Sequence, residues 1–281
     1  MFANARMYSV SPAAGEAWRA LFLGVAQRAG EAVEVLDYPA PAPLPELWGR
    51  PDKAAVFMCG LPYSRLAPRP HLLAAPVPSP LEFGRRPQYW SEFVVRADSA
   101  HRSLEDTFGL TVAFTSIESQ SGFAAPLRYL SQLRGQFGGR SEHAPLFGTV
   151  VAPQITPQGA LAAVADGLAD VAAIDSYALF LLRRHNPQLV ARARVVARTE
   201  PRPIPPLVAS QPHQSLASAF LSAHDESSLG GPMADLLLER FVVPDPAAYE
   251  VLRTEFESTL AYWRQHALAA RIHPAFQPAL T

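Results

Sequence analysis

The chain is 281 residues long, with hydrophobic residues at 49%, charged residues at 17% and a formal net charge of −1. That length accommodates one large domain or two of ordinary size with a substantial core, and the near-neutral balance supplies no basic stripe, which argues against a nucleic-acid partner. The longest apolar runs are broken by Arg, Asp or Pro well before the roughly 18 residues of a membrane-spanning helix, and the single cysteine, Cys59, excludes an intrachain disulfide.

Taken in chain order, Met7-Tyr8-Ser9-Val10 reads as a short strand. Ser11-Pro12 then forms an N-cap and a first helical position, opening a helix to Ala29 with Trp18, Leu21, Phe22 and Val25 as its buried face. Ala32 to Leu36 reads as the next strand. After a proline-rich loop, Lys53 to Met58 is a buried strand running into Cys59-Gly60-Leu61-Pro62-Tyr63, a turn that would present Tyr63 at the carboxyl edge of a sheet. Leu72 to Val77 and Gln88 to Arg96 follow as strands. Ser103 starts a short helix stopped at Gly109. Leu110 to Thr115 is a strand that delivers Ser116-Ile117-Glu118-Ser119-Gln120-Ser121-Gly122 to a helix carrying Leu127, Leu130 and Leu133.

The stretch from Gly148 to Leu182 is the most regular. Thr149 to Ala152 is a β-branched strand, and Thr156-Pro157 caps and starts a helix with Leu161, Val164, Ala165 and Leu168 on one face. Asp170 to Ile174 is a strand apolar enough to be buried on both faces, and Asp175-Ser176 opens the next helix. A βαβ unit of this kind places Thr156, Asp175 and Ser176 at the edge where open α/β sheets bind ligands. Arg194 to Ala197 and Leu207 to Ser210 are further strands on either side of a proline-rich crossing. The remainder reads as helices at Ser215 to Ala223, Pro232 to Phe241 and Ala247 to Leu268, the last with Tyr249, Leu252, Phe256, Leu260 and Trp263 in one stripe.

The separate strand sets predict an α/β protein of two lobes. Residues 1–96 plus 199–281 form a discontinuous outer lobe, and residues 97–198 form an inserted inner one. A cleft between lobes is the natural ligand site. Three loops, at Pro62-Tyr63, Ser121-Gly122 and Thr156-Pro157, are expected to bring a helix N-terminus and a hydroxyl to one sheet edge, a setting suited to an oxyanion without Arg or Lys. Asp175 would accept a bond from a protonated ligand oxygen or an amine. The same residue types have plainer uses: Ser121, Thr156 and Asp175 as helix caps, Tyr63 and Tyr89 as interior aromatics, Cys59 as a small buried hydrophobe.

No nucleophile elbow, phosphate-binding Walker loop or dinucleotide fingerprint is present. Among the histidines, His143, His185 and His213 stand alone, and His266 with His273 is not a zinc pattern. The expectation is a binding protein without catalytic turnover, cofactor or metal.

Several of these motifs together resemble the phosphate/phosphite/phosphonate substrate-binding proteins of ABC transporters. The segment Val164-Ala-Asp-Gly-Leu-Ala-Asp-Val-Ala-Ala-Ile-Asp175 is similar to that family's inner-lobe signature, and Cys59-Gly60-Leu61-Pro62-Tyr63 to its Cys-Gly-x-Pro-Tyr turn. Tyr89 with Val94 to Ser99 resembles its crossing strand, and Ser119-Gln120-Ser121-Gly122 its Ser-x-Ser-Gly anion loop. The resemblance implies the two-lobed type 2 periplasmic-binding-protein fold. It also implies binding roles for Tyr63, Tyr89, Ser119, Ser121, Gly122 and Asp175, and it adds a permease partner and a monomer binding a small anionic or zwitterionic solute. Location would be periplasmic if a signal peptide is missing from this chain, and cytoplasmic otherwise. One departure is visible: Gln154-Ile155-Thr156-Pro157 stands where family members carry a Ser-His or Gly-His pair, which removes a cationic donor. The same fold also serves as a cytoplasmic ligand sensor and as a thiamine-pyrimidine synthase, the alternatives for a chain of this pattern.

Overall fold

A computed structural model describes residues 1–136 and 146–265, so His143, His266 and His273 lie outside the described residues. The chain divides into two compact units, each with its own sheet. Unit 1 comprises Met1–Tyr89, Phe180–Asn186 and Arg202–Glu250; unit 2 comprises Trp90–Leu179, Pro187–Pro201 and Val251–Thr281.

Unit 1 begins with β1 (Phe2–Asn4), α1 (Pro12–Ala29), β2 (Glu34–Val35), α2 (Leu44–Gly49), β3 (Lys53–Phe57), α3 (Gly60–Arg65), β4 (His71–Pro78) and β5 (Gln88–Tyr89). The expected strand at 7–10 is absent. Phe2–Asn4 pairs in parallel with β2 and β3, and Arg6–Tyr8 is a 3-10 turn that buries Tyr8. Helix α1 opens as its sequence dictates: the Ser11 hydroxyl accepts the Ala14 N–H at 3.1 Å, and Pro12 fills the first position, where no N–H is needed. Its buried face carries Trp18, Leu21, Phe22 and Val25. Trp18 meets Phe57 of the fully buried β3 edge-on at 4.9 Å between ring centroids.

Unit 2 contributes β6 (Ser91–Arg96), β7 (Thr111–Ala113), a π-helical turn Gln120–Ala124 continuing into α4 (Ala125–Gln136), β8 (Thr149–Val151), α5 (Pro157–Ala165) and β9 (Val171–Asp175). Next come α6 (Ser176–His185), which runs on into unit 1, then α7 (Pro187–Val190) and β10 (Ala193–Arg198). The sheet order is β10-β6-β9-β7-β8. Strands β7, β8 and β9 are mutually parallel, β7 lying between the other two, whereas β6 is antiparallel to both β9 and β10. The βαβ unit read from the sequence therefore exists with β7 inserted between its two strands.

The chain then completes unit 1 with β11 (Arg202–Pro203), β12 (Leu207–Ala209), α8 (Gln214–Leu221), α9 (Gly230–Asp235) and β13 (Leu238–Val242), and ends its described part with α10 (Pro246–Gln265). Unit 1's main sheet runs β13-β4-β12-β3-β1-β2.

The structure departs from the sequence expectation at further places. Gln88 to Arg96 is two strands, not one: Tyr89 pairs with Arg202, and past Trp90 the chain joins the other sheet, with Ser91 opposite Asp175. The unit boundary consequently falls at 89/90 rather than 96/97. Pro232 to Phe241 is not one helix, because Leu237 turns to φ 52 and Leu238–Val242 pairs with β4. Leu168 is 66% exposed, since α5 stops at Ala165 and Gly167, at φ 76, turns the chain away from the helical face. The C-terminal helix belongs with unit 2 from Val251 onward, not with the unit formed by residues 1–89.

Within unit 2, Phe256 lies 6.3 Å from Phe123, and the Trp263 indole N–H donates to the Leu127 carbonyl at 3.2 Å. Trp263→Ala is expected to remove both a buried ring and that bond, destabilising the protein by about 3 to 5 kcal/mol in urea unfolding, with Trp263→Phe losing less.

Candidate functional site

Parallel strands finish at the same edge of a sheet, so β7, β8 and β9 deliver their carboxyl ends side by side. Each then enters a helix start. After β7, the Ser119 hydroxyl accepts the Gly122 N–H at 2.8 Å and caps the π-helical turn. After β8, the Thr156 hydroxyl accepts the Gly159 N–H at 3.0 Å. After β9, Asp175 Oδ1 accepts the Ala178 N–H at 2.9 Å and caps α6. The capping uses anticipated for Thr156 and Asp175 are both realised; in the anion loop, the cap is Ser119 and not Ser121.

Ser121 does something else. Its hydroxyl donates to Asp175 Oδ2 at 3.3 Å, and its carbonyl accepts from the Ser91 hydroxyl at 2.6 Å. Ser121 is 6% exposed and Asp175 5%, so this is a buried hydroxyl–carboxylate pair at the strand ends. The pair rests on the β6–β9 register: Ser91 lies opposite Asp175, and the Ser176 hydroxyl accepts the Trp90 N–H at 3.0 Å. Burial, followed by the negative charge of Asp175, holds the Tyr177 phenol well above its ordinary pKa. Tyr177 therefore stays neutral beside the carboxylate.

Close approach is built into the two loops. A Cβ on Gly122 would lie 1.8 Å from Thr115 Oγ1 and 2.9 Å from Ser119 Oγ, and one on Gly159 would lie 2.5 Å from the Gln154 carbonyl oxygen. Only glycine fits at either position. The loop before α5 is pinned to the end of β7 by Gln154 N–H to the Phe114 carbonyl at 3.0 Å and Ile155 N–H to the Thr115 carbonyl at 3.1 Å. Ile155 is held there at φ 62, a strained conformation for a β-branched residue.

The structure thus gathers Ser119, Ser121, Gly122, Thr156 and Asp175 at one edge of unit 2. Tyr63 is not at that edge, contrary to the expectation of one shared sheet edge. It follows β3 of unit 1's sheet, and because α3 begins at Gly60, its ring turns back onto Tyr249 at 5.4 Å, with the Arg69 guanidinium 5.6 Å from its centroid. Burial, with Glu250 adding to it and Arg69 opposing it, raises its phenol pKa. Tyr89 is 1% exposed in β5 of unit 1. Thr115 and Ser91 were missed. Thr115 was legible as the last hydroxyl of the predicted strand, but nothing in the sequence pairs Ser91 with residue 121. Among the described residues, no cluster of three or more His, Cys, Asp or Glu could hold a metal ion, and no helix is long and apolar enough to cross a membrane.

Gly122→Ala is expected to displace Thr115 or the loop and to cost about 1 to 3 kcal/mol in thermal or urea unfolding, with Thr115→Ala in the same chain recovering part of the loss. Asp175→Asn keeps an oxygen for the Ala178 N–H, so its melting temperature should stay close to that of the parent, while Asp175→Ala loses the cap and should cost about 1 kcal/mol or more.

The sequence profile described as "ABC transporter, phosphonate, periplasmic substrate-binding protein" matches residues 55–249. Among solved structures, the chain is similar to a binding protein component of an ABC phosphonate transporter from Pseudomonas aeruginosa, with a TM-score of 0.74 at 19% identity, covering 99% of this chain and 96% of that one. It is similar to PhnD1 from Prochlorococcus marinus in complex with methylphosphonate, with a TM-score of 0.73 at 16% identity over 95% and 98% of the two chains. A Xanthomonas citri protein bound to chloride ion matches with a TM-score of 0.63 at 22% identity over 95% and 99%. No curated protein matches. At these identities the structural likeness speaks for the fold, that of the two-lobed periplasmic binding proteins.

Proposed function

Because the chain belongs to the phosphonate-binding family of periplasmic ABC transporter substrate-binding proteins, which are not enzymes, we propose that its unit 2 edge holds a small oxyanion such as phosphate, phosphite or a phosphonate. The observation that carries this reading is the convergence of three parallel strand ends on the helix starts capped by Ser119, Thr156 and Asp175. The first N–H groups of a helix lack partners within it and carry the positive end of its dipole, so helix starts gathered in this way favour an anion.

The buried Asp175 narrows the choice. A carboxylate beside a fully ionised oxyanion is repulsive, so the favoured ligand brings a proton of its own, on a P–OH oxygen or an ammonium group. In the bound state the Ser121 hydroxyl turns from Asp175 Oδ2 to a charged ligand oxygen, and Oδ2 accepts a hydrogen bond from the ligand's P–OH or ammonium group. Asp175 Oδ1 stays on the Ala178 N–H. The missing cation at 154–157 fits the same picture, since hydroxyls and amides supply the donors. Tyr63 and Tyr89 are buried in unit 1, and their ligand role rests on the resemblance. The protein serves an ABC permease as a monomer, exported to the periplasm, with no nucleic-acid partner.

Calorimetric titration with phosphate, phosphite, methylphosphonate, small carboxylates and amino acids tests the reading. A phosphorus oxyanion should bind and the carboxylates should not. Ser121→Ala should weaken that binding ten- to a hundredfold, about 1.5 to 3 kcal/mol, and Asp175→Asn should abolish the preference for the protonated form as pH is varied. Unchanged affinity in both variants would remove Ser121 and Asp175 from the ligand site.

A further inference from the structure

Thr115 follows β7 and stands where the two loops meet. Its carbonyl holds the Ile155 N–H, and on its other side Oγ1 presses against Gly122, 1.8 Å from where a Cβ would be. The residue is 5% exposed, yet Oγ1 has no hydrogen-bond partner among the described residues. A buried hydroxyl is ordinarily satisfied, and one left over marks a position where a missing group would complete the bonding. Its surroundings say what kind of group. Oγ1 lies at the junction of the Ser119–Gly122 turn and the start of α5, where the Gly122 N–H is already bonded to Ser119 and the Gly159 N–H to Thr156. A hydroxyl offers one donor and two acceptor lone pairs, and among partial positive charges the complementary partner is an anionic oxygen.

We propose that Thr115 is a ligand-contacting residue, its Oγ1–H donating to a deprotonated oxygen of the bound oxyanion. The inference rests on the anion reading of this edge and deepens it. Asp175 accepts a hydrogen bond from the ligand's protonated oxygen on one side while Thr115 and Ser121 donate to its charged oxygens on the other. A tetrahedral phosphorus oxyanion with one protonated and two ionised or shared oxygens satisfies all three groups; a planar carboxylate, with two oxygens, leaves one unmet. The close packing of Gly122 on Oγ1 leaves a β-branched hydroxyl little freedom to turn elsewhere.

The test is titration calorimetry with methylphosphonate and with inorganic phosphate on the full chain and on Thr115→Val, Thr115→Ser and Ser121→Ala, with the ligand-free melting temperature of each. Valine keeps the shape and removes the hydroxyl. Thr115→Val should weaken binding tenfold or more while its ligand-free melting temperature is unchanged or raised, and Thr115→Ser should bind within a few-fold of the parent. Thr115→Val binding as tightly as the parent while Ser121→Ala binds weakly would overturn the role of Thr115 and leave the anion site standing. A parent chain that binds neither anion would overturn both. Should Thr115→Val fail to fold, the hydroxyl is a structural group, and Thr115→Ser binding at parental strength would not rescue the proposal.

Discussion

Everything at the candidate site depends on β7 being paired in parallel on both sides, to β8 and to β9. Parallel pairing is what puts three carboxyl ends at one edge, and it requires the chain to leave and return by helices whose N-termini then face that edge. Had any one of the three strands been antiparallel, its hydroxyl or carboxylate would have emerged at the opposite end of the sheet. The antiparallel β6 shows the complementary use. Running the other way, it brings its amino end to the same edge, where Ser91, opposite Asp175, donates its hydroxyl to the Ser121 carbonyl.

Capping and the proposed ligand binding can use the same groups without conflict, because a capping carboxylate or hydroxyl has more than one bonding site. Asp175 Oδ1 accepts the Ala178 N–H and Oδ2 accepts the Ser121 hydroxyl. One oxygen fixes the start of α6 and hence the carboxylate's own orientation; the other is held by a hydroxyl at 3.3 Å, a long contact that a better donor can displace.

Segments whose hydrophobic period was unambiguous were read correctly, among them α1, β3, the start of α5, β9 and the Tyr249-to-Trp263 stripe of α10. The misread ones turn on strand pairing or on a local break in the helix. Leu236-Leu237-Leu238 is apolar whichever period is assumed, and only pairing with β4 makes Leu238–Val242 a strand. Gln88 to Arg96 is one β-rich run, and what divides it is that its two ends find partners in different sheets. The face read for α5 overran its end because the left-handed turn at Gly167 comes before Leu168.

From the sequence alone follow the helix starts at Ser11-Pro12 and Thr156-Pro157, the buried strands and the Ser119-to-Gly122 loop, since caps, prolines and apolar runs act through neighbours a few residues away. The likeness of these motifs to a binding-protein family is legible for the same reason. Tertiary structure alone decided that Tyr63 belongs to another sheet than Ser121, that Ser91 and Ser121 meet, and that Ser121 and Asp175 touch directly. It also decided that the Thr115 hydroxyl is enclosed against Gly122. Those relations join residues 30 to 54 positions apart, or turn on the packing of one loop against another. Strand order and register set them, and no local pattern encodes either.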